Sequence, residues 1–215
     1  MQNIGLYYIS QGETPEEHLL FIEKMAKAGV KWIQLRLKEV SKGIFLETAL
    51  RAATVCERYG AKLIVNDDVE VAKATDAAGV HLGKEDSCPL IARKLLGAEK
   101  IIGGTANTLA DCYNLIVNKK VDYIGLGPFR FTTTKKNLSP IMNIEGYREI
   151  LKALDIQDRS TPMVAIGGIT KTDVSALKQA GVQGVAISSF LHQQEDLQQC
   201  VDQIQNHFKL QSYAR

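Results

Sequence analysis

Short apolar runs alternate with longer amphipathic stretches from one end of the chain to the other. Gly5-Leu6-Tyr7-Tyr8-Ile9 is rich in aromatic and branched residues and predicts a strand. Thr14-Pro15-Glu16-Glu17 follows as a helix start, with a capping residue, a proline in the first turn and early acids. Leu19, Leu20, Ile22, Met25 and Ala26 then recur at helical spacing until Gly29 stops the helix. The same cycle returns along the chain. Further strands are predicted at 31–36, 61–65, 79–82, 100–103, 121–126, 162–166 and 184–187. Helices are predicted at 43–59, up to 77, at 87–96, 108–118, 143–155 and 171–180, and on to about 208. Strands alternating with helices call for a parallel sheet, and eight such units favour closure into a single (β/α)8 TIM barrel over residues 1–208. A doubly wound open sheet is the competing architecture. Residues 209–215 are expected to form a frayed tail.

Composition narrows this reading. A length of 215 residues suits one domain and sits near the low end for such a barrel. Hydrophobic residues at 45% and charged residues at 23% match an ordinary soluble globular protein. The net charge of +2 supplies no broad field for nucleic acid or an anionic membrane, so any anion must be bound at a local site. No apolar run approaches the ~20 residues of a membrane span, and Met1-Gln2-Asn3 has no basic leader character. Cys56, Cys88, Cys112 and Cys200 are widely spaced and are expected to be reduced thiols of a cytoplasmic protein.

In this fold the active site lies at the C-terminal ends of the strands, so the polar residues there carry the chemistry. After the second strand, Gln34, Arg36 and Lys38 fall on one face against Leu35 and Leu37. Two cations and an amide suit a diphosphate, which Arg can grip bidentately and Lys attracts as a point charge. Asn66-Asp67-Asp68 follows the third strand, and Gly83-Lys84-Glu85-Asp86 the fourth. Acids at neighbouring strand ends could share one Mg2+, although Asp67 or Asp68 could instead cap the next helix, and Asp86 a helix beginning near Ser87. After the fifth strand, Thr105 offers a hydroxyl, with Thr108 better placed as a cap. The sixth is followed by Gly127-Pro128-Phe129-Arg130-Phe131-Thr132-Thr133-Thr134-Lys135-Lys136, a glycine-proline loop bearing hydroxyl and ammonium donors that could close over phosphate. Gly167-Gly168 after the seventh strand and Ser188-Ser189 after the eighth match the usual barrel phosphate site. His81 reads as a buried, hydrogen-bonded core residue, and His18, His192 and His207 as surface residues of helices. No Ser, Cys or His set resembles a hydrolytic triad. Two anion sites in one barrel mouth suggest a transfer between two phosphorylated small molecules.

Taken together, these residues resemble the thiamine-phosphate synthase family over nearly the whole chain. The carrying motifs are Gln34-Leu35-Arg36-x-Lys38, Val65-Asn66-Asp67-Asp68, Val80-His81-Leu82-Gly83 with Asp86, Gly127-Pro128 through Thr132-x-Thr134-Lys135, Ala165-Ile166-Gly167-Gly168-Ile169, and Ile187-Ser188. The resemblance implies condensation of 4-amino-2-methyl-5-pyrimidinylmethyl diphosphate with a thiazole phosphate, giving thiamine phosphate and diphosphate. It implies Mg2+ on Asp67 and Asp86, and a pyrimidine diphosphate held by Gln34, Arg36, Lys38, Asn66 and Lys135. It also implies a thiazole phosphate held by Thr132, Thr134, Gly167, Ile187 and Ser188. Arg36, Lys38 and Lys135 are the implied catalytic cations. Thr105 stands where the family usually has serine, and its hydroxyl should keep the contact. Lys84 stands where glutamine is common and is expected to put a cation beside Asp86. A thiazole tautomerase-like barrel and a non-catalytic precursor-binding protein are the alternatives. No nucleic-acid or membrane partner is implied, and a homo-oligomer is left open.

Overall fold

The computed structural model describes residues 4–131, 140–154 and 160–209. Its strands close into a parallel barrel in chain order. They are β1 (Gly5–Ile9), β2 (Trp32–Leu35), β3 (Lys62–Asn66), β4 (Gly79–Leu82), β5 (Ile101–Ala106), β6 (Tyr123–Leu126), β7 (Met163–Ile166) and β8 (Gly184–Ile187). Pairing runs in register from Tyr7↔Trp32 around to Gly5↔Gly184, which closes the ring and excludes the open sheet.

Helices α1 (Pro15–Lys27), α2 (Lys42–Arg58), α3 (Val69–Ala74), α4 (Pro89–Leu96), α5 (Leu109–Tyr113), α6 (Asn143–Ala153), α7 (Val174–Ala180), α8 (Ser189–His192) and α9 (Leu197–Asn206) follow the strands. Their starts are chemically marked. Thr14 accepts from the Glu17 N–H, and Thr108 forms a reciprocal capping box with Asp111. Asp68 accepts from the Val71 N–H at 2.9 Å, so it is the acid taken by a helix cap. Asp86 is not a cap, because α4 begins only at Pro89 with Cys88 before it.

The period of two along each strand divides the core. Leu6, Ile33, Val65, Val80, Ile124 and Val185 face outward onto the helices. Tyr7, Ile9, Trp32, Ile64, Tyr123, Val164 and Ala186 form a second apolar cluster inside the barrel. The lumen is thus unusually aromatic, with edge-on contacts of Tyr7 with Trp32 at 5.8 Å and of Trp32 with Tyr123 at 5.6 Å.

Several expected boundaries shift. β5 runs on to Ala106, because Gly103-Gly104 does not break it: Gly103↔Tyr123 and Thr105↔Gly125 stay paired with β6. The absent side chain at Gly103 makes room, since a Cβ there would lie 2.2 Å from the Tyr123 ring. The helix predicted at 108–118 is α5 running into a π-helical segment, Asn114–Lys119. The last predicted helix is two pieces, α8 and α9. His18 is 3% exposed and pairs its Nδ1 with Ser10 Oγ at 2.7 Å, so it is not a surface residue. His192 is half-buried, stacked on Phe21 with its Nε2 2.7 Å from Tyr8 Oη. Helical spacing placed both histidines on helices, but the register of each helix against β1 decided which face turned inward. Of the expected tail, all but Lys209 lies outside the described residues.

Candidate active site

In a closed parallel barrel every strand ends on the same rim, which brings the described residues that follow the strands to one mouth. Gln34, inward on β2, is buried and donates from Nε2 to Tyr7 Oη at 3.0 Å. Arg36 follows two residues later, and its backbone N–H donates to Ser10 Oγ at 3.0 Å. Ser10 in turn receives the ring of His18, so the loop after β1 braces the top of β2. Burial pushes the Arg36 guanidinium downward, opposed by the charge of Asp67. Lys38, two residues further on, forms an ion pair with Asp67. β2 ends at Leu35, so Arg36 and Lys38 lie in the loop beyond it, where Asp67 is the counter-charge to both.

Asp67 occupies a left-handed backbone conformation, with φ at 65°. Its N–H donates to the His81 carbonyl at 2.9 Å, and the Asp68 N–H donates to the Asn66 carbonyl at 2.8 Å. A tight turn of this kind is unfavourable for most side chains, while Asp and Asn tolerate it. Its effect is to aim the carboxylate across to β2 and β4. Asp86 folds back from the other side and accepts from the Gly83 N–H at 2.7 Å. A Cβ on Gly83 would lie 2.9 Å from that carboxylate oxygen, so glycine there permits the fold-back.

The two carboxyls meet. Burial pushes Asp67 upward, but its hydrogen bond with Asp86 and the Lys38 ammonium outweigh that, leaving it below the usual range. Burial raises Asp86, and the bond to Asp67 and its charge raise it further. Two converging carboxyls disfavour charge on both at once, so one is raised while the other is lowered. Two hard oxygen donors match the small donor set that Mg2+ takes from protein. Among the described residues no group of three or more His, Cys, Asp or Glu converges, so a closed all-protein metal cage is not formed there.

Lys84 departs from expectation. Its Nζ lies 2.6 Å from Asp111 Oδ2, so the cation is directed to the capping box of α5 and not to Asp86. Thr105 faces the lumen, with Oγ1 3.0 Å from His81 Nε2. Asn66 is buried beneath the mouth.

The β6–β8 side is built from different material. Phe129 N–H donates to the Ile166 carbonyl at 2.8 Å, and Arg130 N–H to the Gly167 carbonyl at 3.1 Å. The Arg130 guanidinium grips Asp173 through two bonds of 2.6 and 2.8 Å and donates to the Gly168 carbonyl at 2.9 Å. Asp173 is further fixed by the backbone and hydroxyl of Thr170, each at 2.8 Å. Gly167 and Gly168 both have positive φ, and Cβ atoms there would lie 2.7 Å from Pro128 and 2.5 Å from Arg130. The close approach of the β6 loop thus accounts for both glycines without an anion. Ser188 Oγ donates to Gln11 Oε1 at 3.1 Å. The Ile187 side chain packs in the outer core, leaving only its backbone to face the mouth. Thr132, Thr134 and Lys135 lie outside the described residues.

Sequence reasoning missed Ser10, Gln11, Tyr7 and Tyr123. The inward alternation of Tyr7 with Ile9 and of Tyr123 with Gly125 was a usable signal for both tyrosines, whereas nothing local marked Ser10 and Gln11.

The family model described as thiamine monophosphate synthase matches residues 6–191. The chain belongs to the thiamine monophosphate synthase family. Among its relatives is the thiamine-phosphate synthase of Flavobacterium johnsoniae, 42% identical over 199 residues that cover 93% of each chain. Its counterpart from Bacteroides thetaiotaomicron is 46% identical over 170 residues, covering 79% of this chain and 81% of that one. The solved thiamine phosphate pyrophosphorylase from Pyrococcus furiosus superposes with a TM-score of 0.79 at 27% identity, covering 96% of both. The tautomerase and binding-protein alternatives find no support in these members of the thiamine monophosphate synthase family.

Proposed function

We propose that this chain condenses 4-amino-2-methyl-5-pyrimidinylmethyl diphosphate with a thiazole phosphate, giving thiamine phosphate and diphosphate. The observation that carries the reading is the meeting of Arg36, Lys38, Asp67 and Asp86 at the ends of β2–β4. Such a cluster suits a diphosphate together with a hard cation.

Asp67 and Asp86 would hold Mg2+, which when bound would counter the charge of the diphosphate. Arg36 and Lys38 bind the diphosphate oxygens and favour their departure, because negative charge grows on the leaving group as the carbon–oxygen bond breaks. Neither role calls for a proton transfer. The electron pair leaves with the diphosphate, and the aminopyrimidine ring delocalises the positive charge left on the methylene carbon. The thiazole nitrogen then supplies the pair for the new carbon–nitrogen bond. A protein nucleophile is not required, which agrees with the absence of a triad motif from the sequence.

Gln34, Asn66 and Thr105 would seat the pyrimidine in the lower mouth. Gly167, the Ile187 backbone and Ser188 would take the thiazole phosphate, helped by Thr132 and Thr134, with Lys135 reaching the diphosphate. The braced β6 and β7 loops support that half of the reading by fixing where Gly167 sits. We read 1–208 as one catalytic domain working on small molecules in the cytoplasm. Among the described residues no helix is long and apolar enough to cross a membrane.

The test is to mix the purified protein with both substrates and Mg2+ and to follow thiamine phosphate by chromatography. Formation of thiamine phosphate and diphosphate in equal amounts is expected. Binding of both substrates without product would overturn the reading.

A further inference from the structure

Strand β1 lies between β2 and β8 in the closed barrel, so the loop that leaves it stands between the two halves of the mouth. Two consecutive residues of that loop reach opposite ways. Pairing of β1 with β2 ends at Ile9↔Gln34, and Ser10 still donates its N–H to the Gln34 carbonyl at 2.8 Å. In a regular parallel ladder the Ser10 carbonyl would then accept from the Arg36 N–H. The hydroxyl takes that place instead, accepting from the Arg36 N–H at 3.0 Å. Ser10 is buried, and His18 Nδ1 lies 2.7 Å from the same oxygen, so that oxygen is held from both sides. Arg36 is the first residue beyond β2. The bond to Ser10 therefore holds the backbone from which its guanidinium extends.

Gln11 reaches the other neighbour. Its Oε1 accepts from Ser188 Oγ at 3.1 Å. A serine hydroxyl has three staggered positions, and this contact selects one of them. The Gln11 backbone is anchored in turn by a hydrogen bond with the Tyr8 hydroxyl, whose oxygen lies 2.7 Å from His192 Nε2. His192 ends α8, the helix that Ser188 precedes. The loop after β1 is thus tied to the β8 side at both Ser188 and His192, and to the β2 side at Arg36.

We infer that Ser10 and Gln11 are positioning residues, one for each anion site: Ser10 orients Arg36 toward a diphosphate, and Gln11 orients Ser188 toward a phosphate monoester. Neither needs to touch a ligand. The choice of ligands rests on the proposed function, whereas the two contacts do not.

The test uses Ser10→Ala and Gln11→Met, the second keeping the side-chain length while removing the acceptor. Affinities of the full chain are read by calorimetry, for inorganic diphosphate with Mg2+ and for the thiazole phosphate, so no turnover is needed. Ser10→Ala should weaken diphosphate binding about tenfold and leave the thiazole phosphate within about twofold. Gln11→Met should do the reverse. A loss of both affinities in both variants, or wild-type affinities throughout, would overturn the inference. Positioning also makes each effect depend on the residue positioned. In an Arg36→Ala background, Ser10→Ala should weaken diphosphate binding no further, and in a Ser188→Ala background Gln11→Met should leave the thiazole phosphate affinity where it was. Additive losses would assign both residues a general structural role instead. If Ser10→Ala does not fold, Ser10→Cys, similar in size with a poorer acceptor, tests the same contact with the same expected split. A wild-type protein that binds both ligands and makes no thiamine phosphate would overturn the proposed reaction and leave this inference standing.

Discussion

Around β2–β4 the groups facing the mouth are charged and paired with one another, as Lys38 with Asp67 and Asp67 with Asp86. Around β6–β8 the groups are backbone amides and hydroxyls, and the cation Arg130 is engaged in tying two loops together through Asp173 and Gly168. The first half is arranged electrostatically and its pairs must be exchanged when a ligand arrives. The second is arranged by scaffold, so its shape precedes the ligand. Charge substitutions should therefore act on chemistry in the first half and on stability and loop position in the second.

The largest effect expected from this contrast is at Asp67. Asp67→Asn should lower kcat by about 10²–10³-fold while the thermal midpoint stays near wild type. Asn is the informative choice because it tolerates the left-handed backbone at φ 65°, so the charge is removed without adding strain. Steady-state rates over a Mg2+ titration would check it, and near-normal activity would break the electrostatic half of the comparison. Next is Arg36→Ala, which should weaken pyrimidine diphosphate binding by about 1.5–3 kcal/mol, seen by calorimetry. Equal affinity in that variant would remove Arg36 from the site.

On the other side, Asp173→Asn should cost about 1–3 kcal/mol of stability in denaturant unfolding, because it weakens bonds to Arg130 and Thr170 at a mostly buried carboxylate. Any activity change should fall on KM for the thiazole phosphate. A wild-type unfolding curve would detach Arg130 from the bracing role. The same pair has a pH signature. Burial raises Asp173, but Arg130 and Thr170 outweigh it and the carboxyl ends below its ordinary value. A depressed carboxyl contributes stability that is full above the unfolded value of about 3.9 and is lost as pH falls through the lower folded value. Arg130→Ala should therefore flatten the acid limb of stability against pH, and an unchanged limb would count against the pairing.

The smallest effect is predicted at Lys84. Lys84→Gln should change stability by no more than about 1 kcal/mol, since its ion pair with Asp111 is partly exposed and Asp111 keeps its capping bonds. The Mg2+ dependence should be unaltered, because the ammonium does not face Asp86. A shifted Mg2+ requirement would restore the expectation drawn from the sequence.

Much of this site was legible in the chain. The polar residues after β2, β3 and β4 stood out in the sequence, and β1, β4 and β8 fell at their predicted bounds. These are local facts, set by how a strand alternates and how a helix turns, so a short window of sequence contains them. The acids after β3 and β4 were legible as a set but not by role. Asp68 became the cap while Asp67 became the site carboxylate, through a backbone turn that the residue names do not distinguish.

The tertiary structure alone decided which atoms meet across the barrel. Tyr7 and Tyr123 are 116 residues apart and touch through their hydroxyls. Their meeting depends on the closure of eight strands and on glycine at 103 to leave room for the Tyr123 ring. The partner of Lys84, the burial of His18 and the brace between the β6 and β7 loops have the same origin. Each is a contact between elements whose relative placement is fixed by barrel register, a quantity that no local pattern encodes. The residue types that could do the chemistry were set by the sequence. Their pairing was settled only when the barrel closed around them.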